Sequence, residues 1–251
     1  FLRCRKTPYG AVKLFDKKGL CPMADPAVQL TDVSLSLQSN AGPLNILKNI
    51  SLEVIRGQSV GLVGPSGSGK SSLLMLMGGL EKATSGHVRI LGNNFTKMDE
   101  DALARFRRIH MGIVFQSFHL IPTMTALENI ATPLELAGKR DAMRLAKDEL
   151  VAVGLIHRAD HYPAQMSGGE QQRTALARAA VMRPDILLAD EPTGNLDEQT
   201  GISILELLLG LRDRHGSTLI LVTHDPDLAG RCDRMIQLRD GEILTQSGAA
   251  A

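Results

Sequence analysis

The sequence predicts an α/β fold built on a mainly parallel sheet, and three observations carry that prediction. From Glu170 onward, helical runs alternate with short apolar strands, an order that requires crossover connections and a sheet covered on both faces. Earlier in the chain, a loop of small residues separates an apolar strand at 59–63 from an apolar helical run at 70–80. Apolar residues make up 43% of the 251, enough for the core of one large domain or two small ones.

Element by element, 28–37 and 46–55 are rich in Val, Ile, Leu and Ser and partly alternate, so they read as strands around a polar, glycine-containing turn at 40–43. A strand at 88–91 closes this first part. The middle third turns charged and helical, at 99–110, 125–137 and 141–153, and has the character of an insertion. Thr125 followed three residues later by Glu128 is a capping box, which marks a helix start. After it come a helix from Glu170 to Met182, a strand at 186–189, a helix at 198–214, a strand at 218–222 and a final strand near 235–238. Residues 247–251 are small and patternless and read as a tail.

Composition narrows the function classes. The apolar fraction, and 24 glycines without a triplet period, exclude a disordered or collagen-like chain. A balance of 28 Lys plus Arg against 27 Asp plus Glu argues against a dedicated nucleic-acid binder. That balance is uneven: 1–22 holds six of the basic residues and one acid, with Cys4 and Cys21, so it reads as an upstream extension, expected to be disordered. Counted from Met23, the remainder carries 22 basic and 26 acidic residues, a net −4. Charges interrupt any secretory signal near the start, and no apolar run approaches the ~18 residues of a membrane span, so a soluble, cytoplasmic chain is expected. Three cysteines without metal spacing agree with a reducing compartment.

Gly64-Pro65-Ser66-Gly67-Ser68-Gly69-Lys70-Ser71, followed by Ser72, fits the phosphate-loop pattern G-x-x-x-x-G-K-[ST] in its required place between strand and helix. Glycines let backbone amides curl around phosphate oxygens, and the helix start adds partial positive charge. Lys70 would reach the β- and γ-phosphates, and the Ser71 hydroxyl would complete a Mg²⁺ shell. The strand at 186–189 delivers Asp190 and Glu191 at its carboxyl end, where open parallel sheets bind ligands. Asp190 is placed to hold Mg²⁺ through water and Glu191 to take a proton from an attacking water, unless the pair simply caps the next helix. Ser167 with Glu170 forms a second capping box, and Ser167 with the amides of Gly168 and Gly169 makes an anion site at a helix start.

Together with Asn195-Leu196-Asp197 and His224, these strings resemble the ATP-binding subunit of an ABC transporter, with matching order and spacing from Val28 onward. Phe115-Gln116-Ser117-Phe118-His119-Leu120-Ile121-Pro122-Thr123 and Glu191-Pro192-Thr193-Gly194-Asn195-Leu196-Asp197 look like the branch serving MacB-, LolD- and FtsX-type permeases, and within it the YbbA-like subunits. The resemblance implies a P-loop NTPase (RecA-like) core of mainly parallel sheet, an antiparallel β subdomain and an inserted α-helical subdomain. The implied domain is 23–246, with core segments 27–98 and 166–246 and helices in 99–165. It implies ATP and Mg²⁺ as cofactors and hydrolysis of ATP as the activity. Gln116 becomes the residue sensing Mg²⁺ and the γ-phosphate, His224 the switch histidine, and Asp197 an aspartate passing between two nucleotide sites. The Ser167 string would complete the site of a second copy, so that two chains sandwich two ATP molecules.

Two departures accompany the resemblance. Relatives usually place an adenine-stacking aromatic where this chain has Leu37, although the YbbA-like branch also lacks it. The string Met166-Ser167-Gly168-Gly169-Glu170 has Met and Glu at its first and fifth positions, against the commonest wording. The segment after Gln116 is where relatives dock a coupling helix, with Phe115, Phe118, Leu120, Ile121 and Met124 divided between core and groove. The implied partners are a second copy, an integral membrane permease of FtsX/MacB type carrying lipid-like or hydrophobic cargo, and a periplasmic esterase. No nucleic acid is implied. The expected place is the inner face of the cell membrane, held peripherally. An FtsE-like regulatory ATPase, which clamps on ATP without transport, shares every motif.

Overall fold

A computed structural model describes residues 5–6, 12–13, 26–39 and 42–247. The main sheet has six strands in the spatial order β12 (Glu242–Ser247), β11 (Arg234–Arg239), β5 (Ser59–Val63), β10 (Thr218–Val222), β9 (Ile186–Asp190) and β8 (Met111–Val114). All neighbours run parallel except β11 and β12. Every residue of β5 and β10 is buried, as a sheet covered on both faces demands. The period of two sends alternate side chains to opposite cores: Ile186, Leu188, Ile220 and Val222 to one, Leu187, Ala189, Leu219 and Leu221 to the other.

The first core is closed by a four-stranded antiparallel sheet, ordered β4 (Gly42–Ile55), β3 (Pro26–Ser39), β6 (Ser85–Ile90) and β7 (Asn93–Asn94), with α1 (Lys70–Met77) between the sheets. The second core lies under α5 (Gly168–Ala180) and α6 (Glu198–His215). Two short strands, β1 (Arg5–Lys6) and β2 (Val12–Lys13), pair antiparallel, so this part of 1–22 carries structure; the rest of that segment, with Met23, lies outside the described residues. Of the three cysteines only Cys232 is described, and burial pushes its thiol up to about 11, which keeps it protonated and inert.

The middle third differs from its reading as a single helical insertion. β8 interrupts it and joins the main sheet, and α2 (Glu100–His110) buries Leu103 and Phe106 in the first core, where Phe106 meets Phe95 edge-on at 5.0 Å. Only α3 (Ala126–Leu136) and α4 (Ala142–Ala152) form a separate cluster, with Ala177 and Val181 beneath them. The tail also starts later than 247, because Ser247 ends β12 and pairs with Met235; residues 248–251 lie outside the described residues. The signal for this last hairpin is Asp240-Gly241, both at positive φ (52° and 79°), a tight turn that suits the twist of two antiparallel strands.

Asn129, fully buried on α3, holds the segment that follows Gln116. Its Oδ1 accepts from Ile121 N–H at 2.8 Å, and its Nδ2 donates to the carbonyls of Ile121, Met124 and Thr125 at 3.0–3.1 Å. Asn129→Ala takes the side-chain partner from Ile121 N–H and the Met124 carbonyl, while the Ile121 and Thr125 carbonyls keep the N–H groups of Met124 and residue 129, and a loss of about 3 kcal/mol in urea denaturation is expected.

Candidate functional site

Parallel register assembles the site. Val114 pairs with Ala189, Ala189 with Leu221, and Leu221 with Gly61. Two residues beyond each, where the strands end, stand Gln116, Glu191, Thr223 and Val63, followed by His224 and Gly64. Residues remote in sequence therefore emerge side by side at one carboxyl edge.

The phosphate loop, 64–69, crosses this edge into α1. A Cβ at Gly64 would collide with the Leu238 carbonyl, so only glycine lets the loop back onto β11. The loop ends on Gly69 in the left-handed conformation, and α1 opens with no side-chain cap and no acid in its first turn. By contrast, Asp99, Thr125, Ser167 and Asp197 cap α2, α3, α5 and α6, each with an acid in the first turn. The first amides of α1 and its dipole are thus left for an anion. Lys70 is buried, and its Nζ donates to the carbonyls of Gly64 at 2.9 Å and Pro65 at 3.0 Å, a charge held ready inside the loop.

Ser71 Oγ donates to Asp190 Oδ1 at 2.9 Å, joining the helix start to the end of β9. Burial pushes the Asp190 carboxyl up and the neighbouring Glu191 charge adds to this, while the Ser71 hydroxyl opposes it. An acid so placed gains from a nearby cation, and the hydroxyl and carboxylate are the hard oxygens Mg²⁺ prefers. Two protein oxygens make a partial shell, which fits an ion that keeps other ligands such as water or phosphate oxygens.

Glu191 turns off the strand at φ 44°, a conformation that costs a non-glycine residue about 1 kcal/mol. Its N–H still donates to Val222 at 2.9 Å, so the bend is held by β10, and the side chain swings over the edge. His224 Nδ1 lies 3.1 Å from Glu191 Oε2 and donates to it when that nitrogen carries the proton, which leaves Nε2 toward solvent. Asp225 caps the short helix α7 (Pro226–Ala229), so His224 itself is free of capping duty. Gln116 Nε2 reaches Asn195 Oδ1 at 3.4 Å, and Asn195 Nδ2 donates to the Gln116 carbonyl at 3.1 Å. A Cβ on Gly194 would come within 2.9 Å of Gln116 Nε2 and 3.3 Å of Glu191 Oε2. Gly194→Ala is therefore expected to slow ATP turnover about tenfold by displacing both side chains, with thermal unfolding unchanged; wild-type turnover would show that the crowding is relieved elsewhere.

The Ser167 string does not join this group. Its closest surroundings are Leu196, Phe118 and Thr200 rather than the phosphate loop. Ser167 Oγ accepts from Glu170 N–H at 3.3 Å and Ser167 N–H donates to Glu170 Oε2 at 2.8 Å, which fixes the string at the start of α5. Asp197 caps α6 through Thr200 N–H at 3.0 Å, and the Thr200 hydroxyl together with that N–H holds its carboxyl below the usual range. Leu37 pairs with Leu44 across β3 and β4, and both are exposed. Two arginines carry roles that no motif signals. Arg178 on α5 donates to the carbonyls of His119 at 2.6 Å and Phe118 at 2.8 Å, fixing the left-handed turn after Gln116, and Arg158 meets Glu170.

A phosphate cradle, a cation-suited hydroxyl–carboxylate pair and a poised acid on one sheet edge define a P-loop nucleoside-triphosphatase. Residues 47–194 match the ABC transporter family, and the chain belongs to it, as an ATP-hydrolysing, ATP-binding subunit. It is 50% identical over 226 residues to the uncharacterized ABC transporter ATP-binding protein YbbA of Escherichia coli K12, covering 89% of this chain and 99% of that protein. To the macrolide export ATP-binding/permease protein MacB of the same strain it is 45% identical over 221 residues, 87% of this chain but 34% of MacB. The dimeric, post-hydrolysis structure of the ATP-binding cassette MJ0796 with ADP and Pi superposes with a TM-score of 0.82 at 40% identity, covering 88% of this chain and 98% of that one. Among the described residues no helix is long and apolar enough to cross a membrane.

Proposed function

We propose that two copies of this chain close on two ATP molecules and drive a separate membrane permease of FtsX/MacB type. The observation carrying the reading is the split site: Lys70, Ser71, Asp190, Glu191 and His224 share one edge, while the anion-ready Ser167, Gly168 and Gly169 stand apart from it. A second copy would supply the missing half, as the dimeric form of MJ0796 suggests. In this reading Ser71 and Asp190 hold Mg²⁺, which neutralises phosphate charge, and Gln116 senses it. Gly64 to Ser72 wrap the phosphates, Glu191 takes the proton of the attacking water, and His224 turns from Glu191 to the γ-phosphate. Asp197, at the start of α6, stands between the two sites.

The permease would dock in a groove of about 570 Å³ between α2, α3 and α5, lined by Ile113, Ile121, Pro133, Leu136 and Met182 with Arg105, Arg108 and Arg178 around them. Of the five apolar residues expected near that face, Ile121 lines it, and the other four are half-buried and do not line it. An apolar floor with a basic rim suits a short amphipathic helix bearing acids. The chain would then sit peripherally on the inner face of the membrane, and lipid-like or hydrophobic cargo follows from the MacB-type branch. Nothing on the chain itself supports a periplasmic esterase, and the proposal stops at the permease.

Leu136→Asp places an acid on the most exposed large apolar side chain of the groove. Membranes carrying a candidate permease of the FtsX/MacB type should capture the wild-type chain and lose the variant at least tenfold; equal capture removes the docking reading. ATP-dependent cargo movement in reconstituted vesicles then separates transport from FtsE-like regulation.

A further inference from the structure

The start of α5 contains a conflict that the start of α1 does not. Its amides, its dipole and the Ser167 hydroxyl suit an anion, yet Glu170 puts a negative charge in the first turn, within reach of any phosphate that docks there. The carboxylate is committed on both oxygens: Oε2 accepts from Ser167 N–H at 2.8 Å, and Oε1 accepts from Arg158 Nε at 2.8 Å. The two side chains are 34% and 13% exposed for Arg158 and Glu170, so their charges are less screened than those of a surface pair. Hydrogen bonds to Ser167 and to Arg158 both hold the Glu170 carboxyl below the usual range, so it stays ionised and in need of a counter-charge.

Arg158 is itself anchored. Its Nη1 lies 3.1 Å from His161 Nε2, and the carbonyls of Ala159 and His161 accept from Leu127 N–H at 3.0 Å and Ala126 N–H at 2.9 Å, at the start of α3. The same α3 carries Pro133 and Leu136 of the groove. A continuous set of bonds therefore runs from the groove-lining helix, through Arg158, to Glu170 and Ser167.

We propose that Arg158 is a positioning residue for ATP hydrolysis, which neutralises Glu170 so that the start of α5 can receive the γ-phosphate bound by a second copy. The same pair ties the orientation of the Ser167 string to α3. This rests on the sandwich reading above. Without Arg158, the carboxylate would repel the incoming nucleotide across the dimer interface; without both charges, an amide at 170 would keep the capping box and leave the helix start neutral.

The experiment uses the full chain carrying Glu191→Gln, with ATP-dependent dimerisation followed by sedimentation. Arg158→Gln should weaken dimerisation about tenfold, Glu170→Gln should match the parent, and the double variant should return to within about twofold of it. Arg158→Lys, which keeps the charge, should stay within about threefold of the parent. Nucleotide affinity of the monomer should be the same throughout, and thermal unfolding should be alike for Arg158→Gln and the double variant, so that regained folding cannot explain the rescue. A double variant as weak as Arg158→Gln, or an Arg158→Gln as strong as the parent, overturns the inference. A parent that stays monomeric with ATP bound overturns the sandwich reading, and the inference with it.

Discussion

Replacing Glu191 by Gln is expected to lower ATP turnover about 10²–10⁴-fold, the usual worth of a positioned general base, while leaving ATP binding intact. The substitution is isosteric, so the main-chain bond from residue 191 to the Val222 carbonyl is untouched, and a protonated His224 Nδ1 keeps an acceptor in the new amide oxygen. It also removes one of the causes that push the Asp190 carboxyl up, which favours its ionised form and so does not weaken a cation held there with Ser71. Binding without hydrolysis should let an ATP-held dimer accumulate on size-exclusion chromatography. Wild-type turnover would remove Glu191 from the role of base.

Lys70→Ala acts one step earlier. The ammonium sits inside the loop on the carbonyls of Gly64 and Pro65, and it is nearly dry, at 6% exposure. Charge-assisted bonds of this kind are worth about 1.5–3 kcal/mol, so nucleotide affinity by calorimetry should fall about 10- to 100-fold. The amides at the start of α1 remain, which is why some binding should survive. Unchanged affinity would count against the phosphate-loop reading, and a far-ultraviolet spectrum like the wild type's shows that loss of binding is not loss of fold.

Much of this architecture was legible in the chain because the signals are local. Gly64 to Ser71 encode a strand–loop–helix junction by residue type alone, and the boxes Thr125/Glu128 and Ser167/Glu170 mark where α3 and α5 are capped, since both partners lie in one helical turn, although the helix read from Glu170 to Met182 runs from Gly168 to Ala180. The uniformly apolar runs of β5, β9 and β10 announce a buried parallel sheet. β8 escaped because four residues with a glycine, MGIV, carry too little pattern beside charged helices. β12 escaped because only its turn, Asp240-Gly241, distinguishes it from a polar tail.

The site divides the same way. By itself the sequence determined which residue types bear the chemistry and in what order, because phosphate binding and helix capping are written in short strings. Only the tertiary structure decided which of them meet. Gln116, Glu191 and His224 share one edge because three parallel strands are in register, and Ser167 stands apart because α5 starts beside Leu196 and Thr200. Arg158 and Arg178 had no string to announce them: a long cation finds its acceptor through space, on another element, and nothing local in the sequence names that partner.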